Sequence, residues 1–159
     1  MKMNTKQLQT LVSKAMKCAS CESDVPLTNM MSIEVKDKVL TLTTTDENTY
    51  LFVSDECDSE DFYVVVEVEL FSKLISKLTS ETVTLNVVND SLEVDGNGHY
   101  VIGLPYDIDG GLIKFPNPRA KLAETAARDE VNLSTLKMIL ATAKASVDFT
   151  RLCDYVRTI

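Results

Sequence analysis

Lysine placement carries most of the chemistry this sequence can do. Lys6, Lys14 and Lys17 fall on one face of an amphipathic stretch. Lys73 and Lys77 share the polar face of a second, and Lys137 and Lys144 that of a third, with no acid expected inside those faces. The chain as a whole is acidic, with a formal net charge of -8. Positive charge gathered on matched helices of an acidic protein separates surfaces: one attracts a polyanion such as DNA, and the rest keeps the molecule soluble. Ammonium groups meet phosphate oxygens without reading bases, so such binding is independent of base sequence. The plainer account of each lysine face is a solvated helix surface.

The other reactive residues point to less. Cys18 and Cys21 form a C-x-x-C, but a zinc site wants four ligands, and the rest would be the distant Cys57, Cys153 or His99. A redox pair of this kind opens a helix after a strand, whereas this one falls at a helix end. Neither a metal nor a cofactor is expected. His99 is the single histidine and lies in a strand-turn region without an identifiable serine or cysteine partner. No phosphate-cradling G-x-x-x-x-G-K-[ST] occurs. These absences argue against an enzyme. The acidic run at 55–61 lacks the glycine and closing glutamate of a calcium loop and reads as a solvated connection.

These residues need elements to position them. Over 5–19, Leu8, Leu11, Val12, Ala15, Met16 and Ala19 recur at helical spacing, and Asn4 supplies a helix-starting oxygen. Strands are expected at 31–36, 39–45 and 50–53, with Asp37-Lys38 as a tight turn. The cycle then restarts with a strand at 62–68 and a helix at 69–79. That helix turns Phe71, Leu74, Ile75 and Leu78 inward and Ser72, Lys73, Ser76 and Lys77 outward. Glu67 and Glu69 stand near its start, where the helix dipole favours negative charge. Strands at 82–88, 92–95 and 100–104 complete the second cycle. A strand-helix-three-strand unit thus occurs twice, giving an α+β domain with two helices packed on antiparallel sheets.

Phe115-Pro116-Asn117-Pro118 closes this domain, expected over 1–118, and 119–129 reads as a linker. A third cycle starts within 130–159: a short strand at 130–133 and a helix from 134 to about 147, with Leu136, Ile139, Leu140, Ala143 and Val147 inward. One strand and one helix cannot bury an apolar face alone. The piece 130–159 is therefore expected to be the truncated start of a second domain, or a tail that docks elsewhere. No apolar run approaches the roughly 20 residues that span a bilayer, and the start lacks a signal peptide's apolar core. A cytoplasmic protein with no membrane partner is expected.

Several short motifs, in this order and spacing, resemble the bacterial DNA polymerase III β sliding-clamp family. They are Pro26-Leu27, the Leu40-Thr41-Leu42 strand running into Thr45-Asp46, the Val68…Phe71…Leu78 helix, Leu104-Pro105, and Phe115-Pro116-Asn117. The resemblance covers the family's first domain and the opening of its second. It implies a sliding-clamp fold and a processivity factor: a head-to-tail ring dimer in the full-length form, helices lining the hole, double-stranded DNA threaded through. It also implies DNA polymerase and a clamp loader as partners. The strand ending at Leu104 would be a sheet edge used for subunit closure, with His99, Tyr100 and Ile102 at the interface. Tyr155 and Val156 would form part of a partner-binding cleft, in a run Cys153-Asp154-Tyr155-Val156-Arg157-Thr158 that departs from the family's usual one. Glu22, Ser23 and Asp24 stand where the family often carries a basic residue. A competing account is a clamp-like protein-interaction module that never encircles DNA.

Overall fold

The computed structural model describes residues 1–20, 25–116 and 132–146, the last three of these by backbone only. The chain divides into two compact units, Met1–Pro118 and Arg119–Ile159.

The first unit begins with a short strand β1 (Lys2–Asn4) that leads directly into α1 (Thr5–Ala15). Asn4 caps the helix, its side-chain oxygen accepting from the backbone N–H groups of Lys6 (3.0 Å) and Gln7 (3.3 Å). The helix tightens into a 3₁₀ turn over Met16–Cys18. After a second 3₁₀ turn (Pro26–Asn29) come β2 (Met30–Lys36), β3 (Val39–Thr45) and β4 (Tyr50–Glu56). The second repeat follows as β5 (Phe62–Glu67), α2 (Val68–Lys77), β6 (Thr82–Val88), β7 (Ser91–Asp95) and β8 (His99–Gly103).

The two repeats exchange their opening strands. One antiparallel sheet runs β4-β3-β2-β5 and the other β1-β6-β7-β8. Strand β1 of the first repeat therefore pairs with β6 of the second, Lys2 opposite Thr84, while β5 of the second pairs with β2 of the first, Met30 opposite Glu67. Each meander is completed by the other's first strand, so neither repeat is a closed unit alone.

Alternation sets the core, although Ser32, Thr43 and Val65 on the other faces of their strands are buried as well. Met31, Ile33 and Val35 of β2, Leu40 and Leu42 of β3, Val64 and Val66 of β5, Leu85 of β6, and Leu92 and Val94 of β7 are buried. They pack with Leu8, Leu11, Val12 and Ala15 of α1 and Val68, Phe71 and Ile75 of α2 in one cluster. Thr44 shares the inward side of β3; its hydroxyl donates to the Ala15 carbonyl (2.6 Å), adding a side-chain partner where α1 tightens into the 3₁₀ turn. The β2–β3 turn places Asp37 and Lys38 at φ of 50° and 63°, the positive values that a twisted two-residue hairpin demands. Asp61 accepts from the backbone N–H of Asp37 (3.0 Å), and Asp58 pairs with Lys38 (3.1 Å). Both acids remain exposed, so the run is a solvated connection that touches this hairpin through Asp61.

Three details differ from expectation. Ser72 is buried, its hydroxyl donating to the Glu69 carbonyl, because the flank of α2 that carries it faces α1. In the second unit, Leu133 opens a helix instead of closing a strand: α3 spans Leu133–Ser146, and Asn132 caps it by accepting from the Ser134 backbone N–H (2.9 Å). Leu136, Ile139 and Leu140 are exposed in the structure, not inward, since nothing among the described residues packs on them. Among the described residues, no helix is long and apolar enough to cross a membrane.

Candidate nucleic-acid interface

Helices α1 and α2 lie side by side. The side-chain amide of Gln9 donates to the carbonyls of Ile75 and Leu78, both at 3.0 Å, and so closes the last turn of α2 from the neighbouring helix. A groove of about 340 Å³ runs between them, lined by Gln9, Val12, Ser13 and Met16 from one side and Ser72, Ile75 and Ser76 from the other. Gln9 and Ser13 also line a shallow depression with Lys6, Thr10, Lys14 and Lys17. The lysine face of α1 therefore borders the groove. Its far wall carries Ser72 and Ser76, the sequence neighbours of Lys73 and Lys77.

Lys6, Lys14, Lys17, Lys73 and Lys77 are all exposed. One difference from the sequence reading concerns α2: its polar face does contain an acid. Glu69 sits one turn before Lys73 and pairs with its ammonium group. Hydrogen bonding to Lys73, and then its charge, holds the Glu69 carboxyl below its ordinary range, so it stays ionised and partly cancels Lys73. Among the described residues, Lys6, Lys14, Lys17 and Lys77 have no ion-pair partner.

Most of the strand acids are on the opposite faces of the sheets; Asp55 of β4 is an exception, its carboxylate accepting from the Gln7 side-chain amide of α1 (2.7 Å). Glu34 of β2, Glu67 of β5, and Glu93 and Asp95 of β7 alternate with core residues, so they point away from the helices, with Lys36 beside Glu34. Basic helices on one side and acidic sheets on the other give the unit two electrostatically opposed surfaces.

On β8, alternation places Ile102 in the core and Tyr100 partly buried against it, while His99 and Val101 face outward. Two of the three side chains assigned to an interface thus point into this unit. Strand β8 is the edge of its sheet, with one side of its backbone unpaired by β7. The outward apolar residue is Val101, 59% exposed, which the sequence reading missed. His99 pairs with Asp95 (2.7 Å), and that hydrogen bond, followed by the charge of Asp95, raises its pKa.

The remaining candidates are dispersed or outside the described residues. Lys137 is exposed on α3; Lys144 lies on the same helix, but its side chain is outside the described residues, as are Cys21, Cys153, Tyr155 and Val156. Cys18 is buried with its thiol donating to the Thr49 carbonyl (3.3 Å), and burial, then the charge of Asp46, pushes its pKa up. That disfavours the thiolate that metal binding or redox exchange requires. Among the described residues, no group of histidine, cysteine or acidic side chains is arranged to hold a metal ion.

Two helices laid on a pair of antiparallel sheets, with opening strands exchanged between repeats, define a DNA-clamp domain. The family model for the DNA polymerase III beta subunit, N-terminal domain, matches residues 1–138, and the chain belongs to that family. The fold is similar to the Thermotoga maritima beta subunit at 22% identity and TM-score 0.61, covering 72% of this chain and 32% of that one. It is similar to the Streptococcus pyogenes beta subunit at 13% identity and TM-score 0.62, covering 83% and 33%. It also resembles the Helicobacter pylori beta clamp bound to a DNA ligase peptide, at 18% identity and TM-score 0.62, covering 74% and 32%. The chain spans about a third of the length of these clamps. No curated protein matches it.

Proposed function

We propose that this chain is the N-terminal part of a sliding clamp, a non-enzymatic processivity factor whose full-length form closes as a ring around duplex DNA and tethers the replicative polymerase. The observation that carries this is the segregation of charge: lysines on the paired helices, most of the strand acids on the opposite faces of the sheets. A ring built from such units, helices inward, presents ammonium groups to phosphate all round the duplex and repels DNA from its outer surface. Phosphate contacts specify no sequence, and salt screens them over roughly 8 Å, so the ring can slide.

The free edge of β8 is the natural place for subunit closure, by addition of a strand from a second copy. Val101 and His99, rather than Tyr100 and Ile102, would meet the partner. The polymerase and a clamp loader are the proteins such a ring serves, and the peptide carried by the Helicobacter pylori clamp illustrates the kind of segment a partner offers. A partner cleft including Tyr155 and Val156 belongs to the same proposal.

The test is topological. The full-length protein, loaded on nicked circular DNA, should be retained through gel filtration and lost when the circle is linearised. Replacing Lys6, Lys14, Lys17 and Lys77 by Glu should shorten retention on the circle without unfolding, since these side chains are exposed. Equal retention on circular and linear DNA points instead to the interaction module that encircles nothing.

A further inference from the structure

Three glycines follow an asparagine or an aspartate: Gly96, Gly98 and Gly110. A glycine nitrogen is unshielded by a Cβ, so it can approach the side-chain carbon of the residue before it. Two of the three nitrogens are occupied. The Gly96 N–H donates to the Gly98 carbonyl (2.9 Å), and the Gly110 N–H to the Asp107 carbonyl (3.1 Å). The Gly98 N–H has no acceptor among the described residues. It follows Asn97 in the exposed turn between β7 and β8, and Asn97-Gly98 is the single Asn-Gly of the sequence. The preceding residue matters as well: an amide can release ammonia, whereas an ionised carboxylate resists a nucleophile.

The carbonyl of that amide is engaged. Asn97 Oδ1 accepts from the backbone N–H of Thr79 (3.4 Å), just beyond the end of α2. The bond is long in the resting turn. Negative charge gathers on Oδ1 as a nucleophile adds to Cγ, and a donor fixed there stabilises it. Water has access, because Asn97 and Gly98 are both exposed.

We propose that Asn97 is a site of self-modification, in which the Gly98 nitrogen gives up its proton to solvent base and bonds to Asn97 Cγ. The Cγ–Nδ2 bond breaks, and the side-chain nitrogen leaves with a proton as ammonia. The cyclic imide that remains takes up water at one of its two carbonyls. Opening at Cγ leaves aspartate at position 97. Opening at the main-chain carbonyl leaves isoaspartate, with the side-chain methylene routed into the backbone. The co-reactant is water alone.

Either product alters the hairpin. A carboxylate at 97 faces the carbonyl end of α2, where the helix dipole disfavours negative charge. Isoaspartate does more. Among the described residues β8 pairs with β7 alone, and the turn closed by the Gly96–Gly98 bond sets their register. A lengthened turn strains that closure and loosens β8.

The full-length protein is aged at neutral and at alkaline pH. Peptide mapping with isoaspartate detection then compares Asn97 with Asn48 and Asn89 in the same molecule. Conversion should concentrate at Asn97, rise with pH because the attacking nitrogen must lose its proton, and be lost in Asn97→Gln, whose longer side chain disfavours the ring. Hydrogen exchange on the aged parent should show weakened protection in β8 and unchanged protection in β2, with aged Asn97→Gln protected in both. Conversion no faster at Asn97 than at Asn48 or Asn89 overturns the proposal, as does conversion that appears only after denaturation. Isoaspartate at 97 with β8 protection intact overturns the effect assigned to the hairpin.

Discussion

Removing an acid should tighten DNA binding, and the size of the effect follows from the Glu69–Lys73 pair. Each phosphate neutralised by a lysine contributes about -0.9 to the slope of log K against log salt on duplex DNA. Lys6, Lys14 and Lys17 lack ion-pair partners among the described residues, so changing all three to Gln should remove up to about 2.7 from the slope per subunit. Lys73 is already partnered by Glu69 on the same face. Lys73→Gln alone should therefore change the slope by much less than about 0.9, whereas Glu69→Gln should steepen it by up to that amount. In the Glu69→Gln background, Lys73→Gln should have a larger effect than in the parent. Fluorescence anisotropy of a labelled duplex, titrated with full-length protein at several salt concentrations, reads all four combinations. Because the Glu69 pKa is lowered, acidification through that value should protonate it and reproduce the Glu69→Gln behaviour. Two results refute the reasoning: an unchanged or shallower slope for Glu69→Gln, or an identical effect of Lys73→Gln in both backgrounds.

Other expectations concern the scaffold. Thr44→Val keeps the shape but removes one of the donors to the buried Ala15 carbonyl, and should cost about 0.5–1.5 kcal/mol in urea unfolding; no loss would remove the hydroxyl from the account of how α1 ends. Replacing Asp37-Lys38 by Asn-Gly relieves two positive-φ residues and should stabilise by about 1 kcal/mol, the exposed Lys38–Asp58 pair contributing little in return; a destabilised variant shows that the pair or its loop matters more. His99, the single histidine, should titrate by NMR above 6.5, and Asp95→Asn should lower its midpoint. With a raised folded-state pKa, the stabilisation from this pair is complete below the unfolded value and is lost as pH rises through the folded one. A midpoint at or below 6.5 with Asp95 present would contradict the pairing.

The helices were the most legible part of the sequence. Leu8, Leu11, Val12 and Ala15 repeat at the period of one face, and Asn4 marks the start, so α1 could be placed within a few residues. The β2–β3 hairpin was legible too, since Asp37-Lys38 interrupts alternating runs. Strand β1 was not, because three residues are too few to show a period. Nor was the exchange of opening strands, which depends on pairing across some eighty positions that no local pattern encodes. The burial of Ser72 was missed because helical periodicity marks the sheet-facing side but not the flank against another helix. Glu69 was within reach: its four-residue spacing from Lys73 is the commonest helical ion pair. For β8, alternation left two phases open, and only the buried Ile102 shows that Val101 is the outward residue.

The exchanged strands also set an order of assembly on the ribosome. Every strand of the β4-β3-β2-β5 sheet lies between Met30 and Glu67, so that sheet can be complete before the rest is made. The other sheet needs β6, and β6 pairs with β1, made some eighty residues earlier. At roughly 5–20 residues per second, β1 waits several seconds without its partner. The earliest-made of these eight strands is then the last to be locked. In pulsed hydrogen exchange on the nascent chain, protection should reach Val64 and Val66 well before Met3.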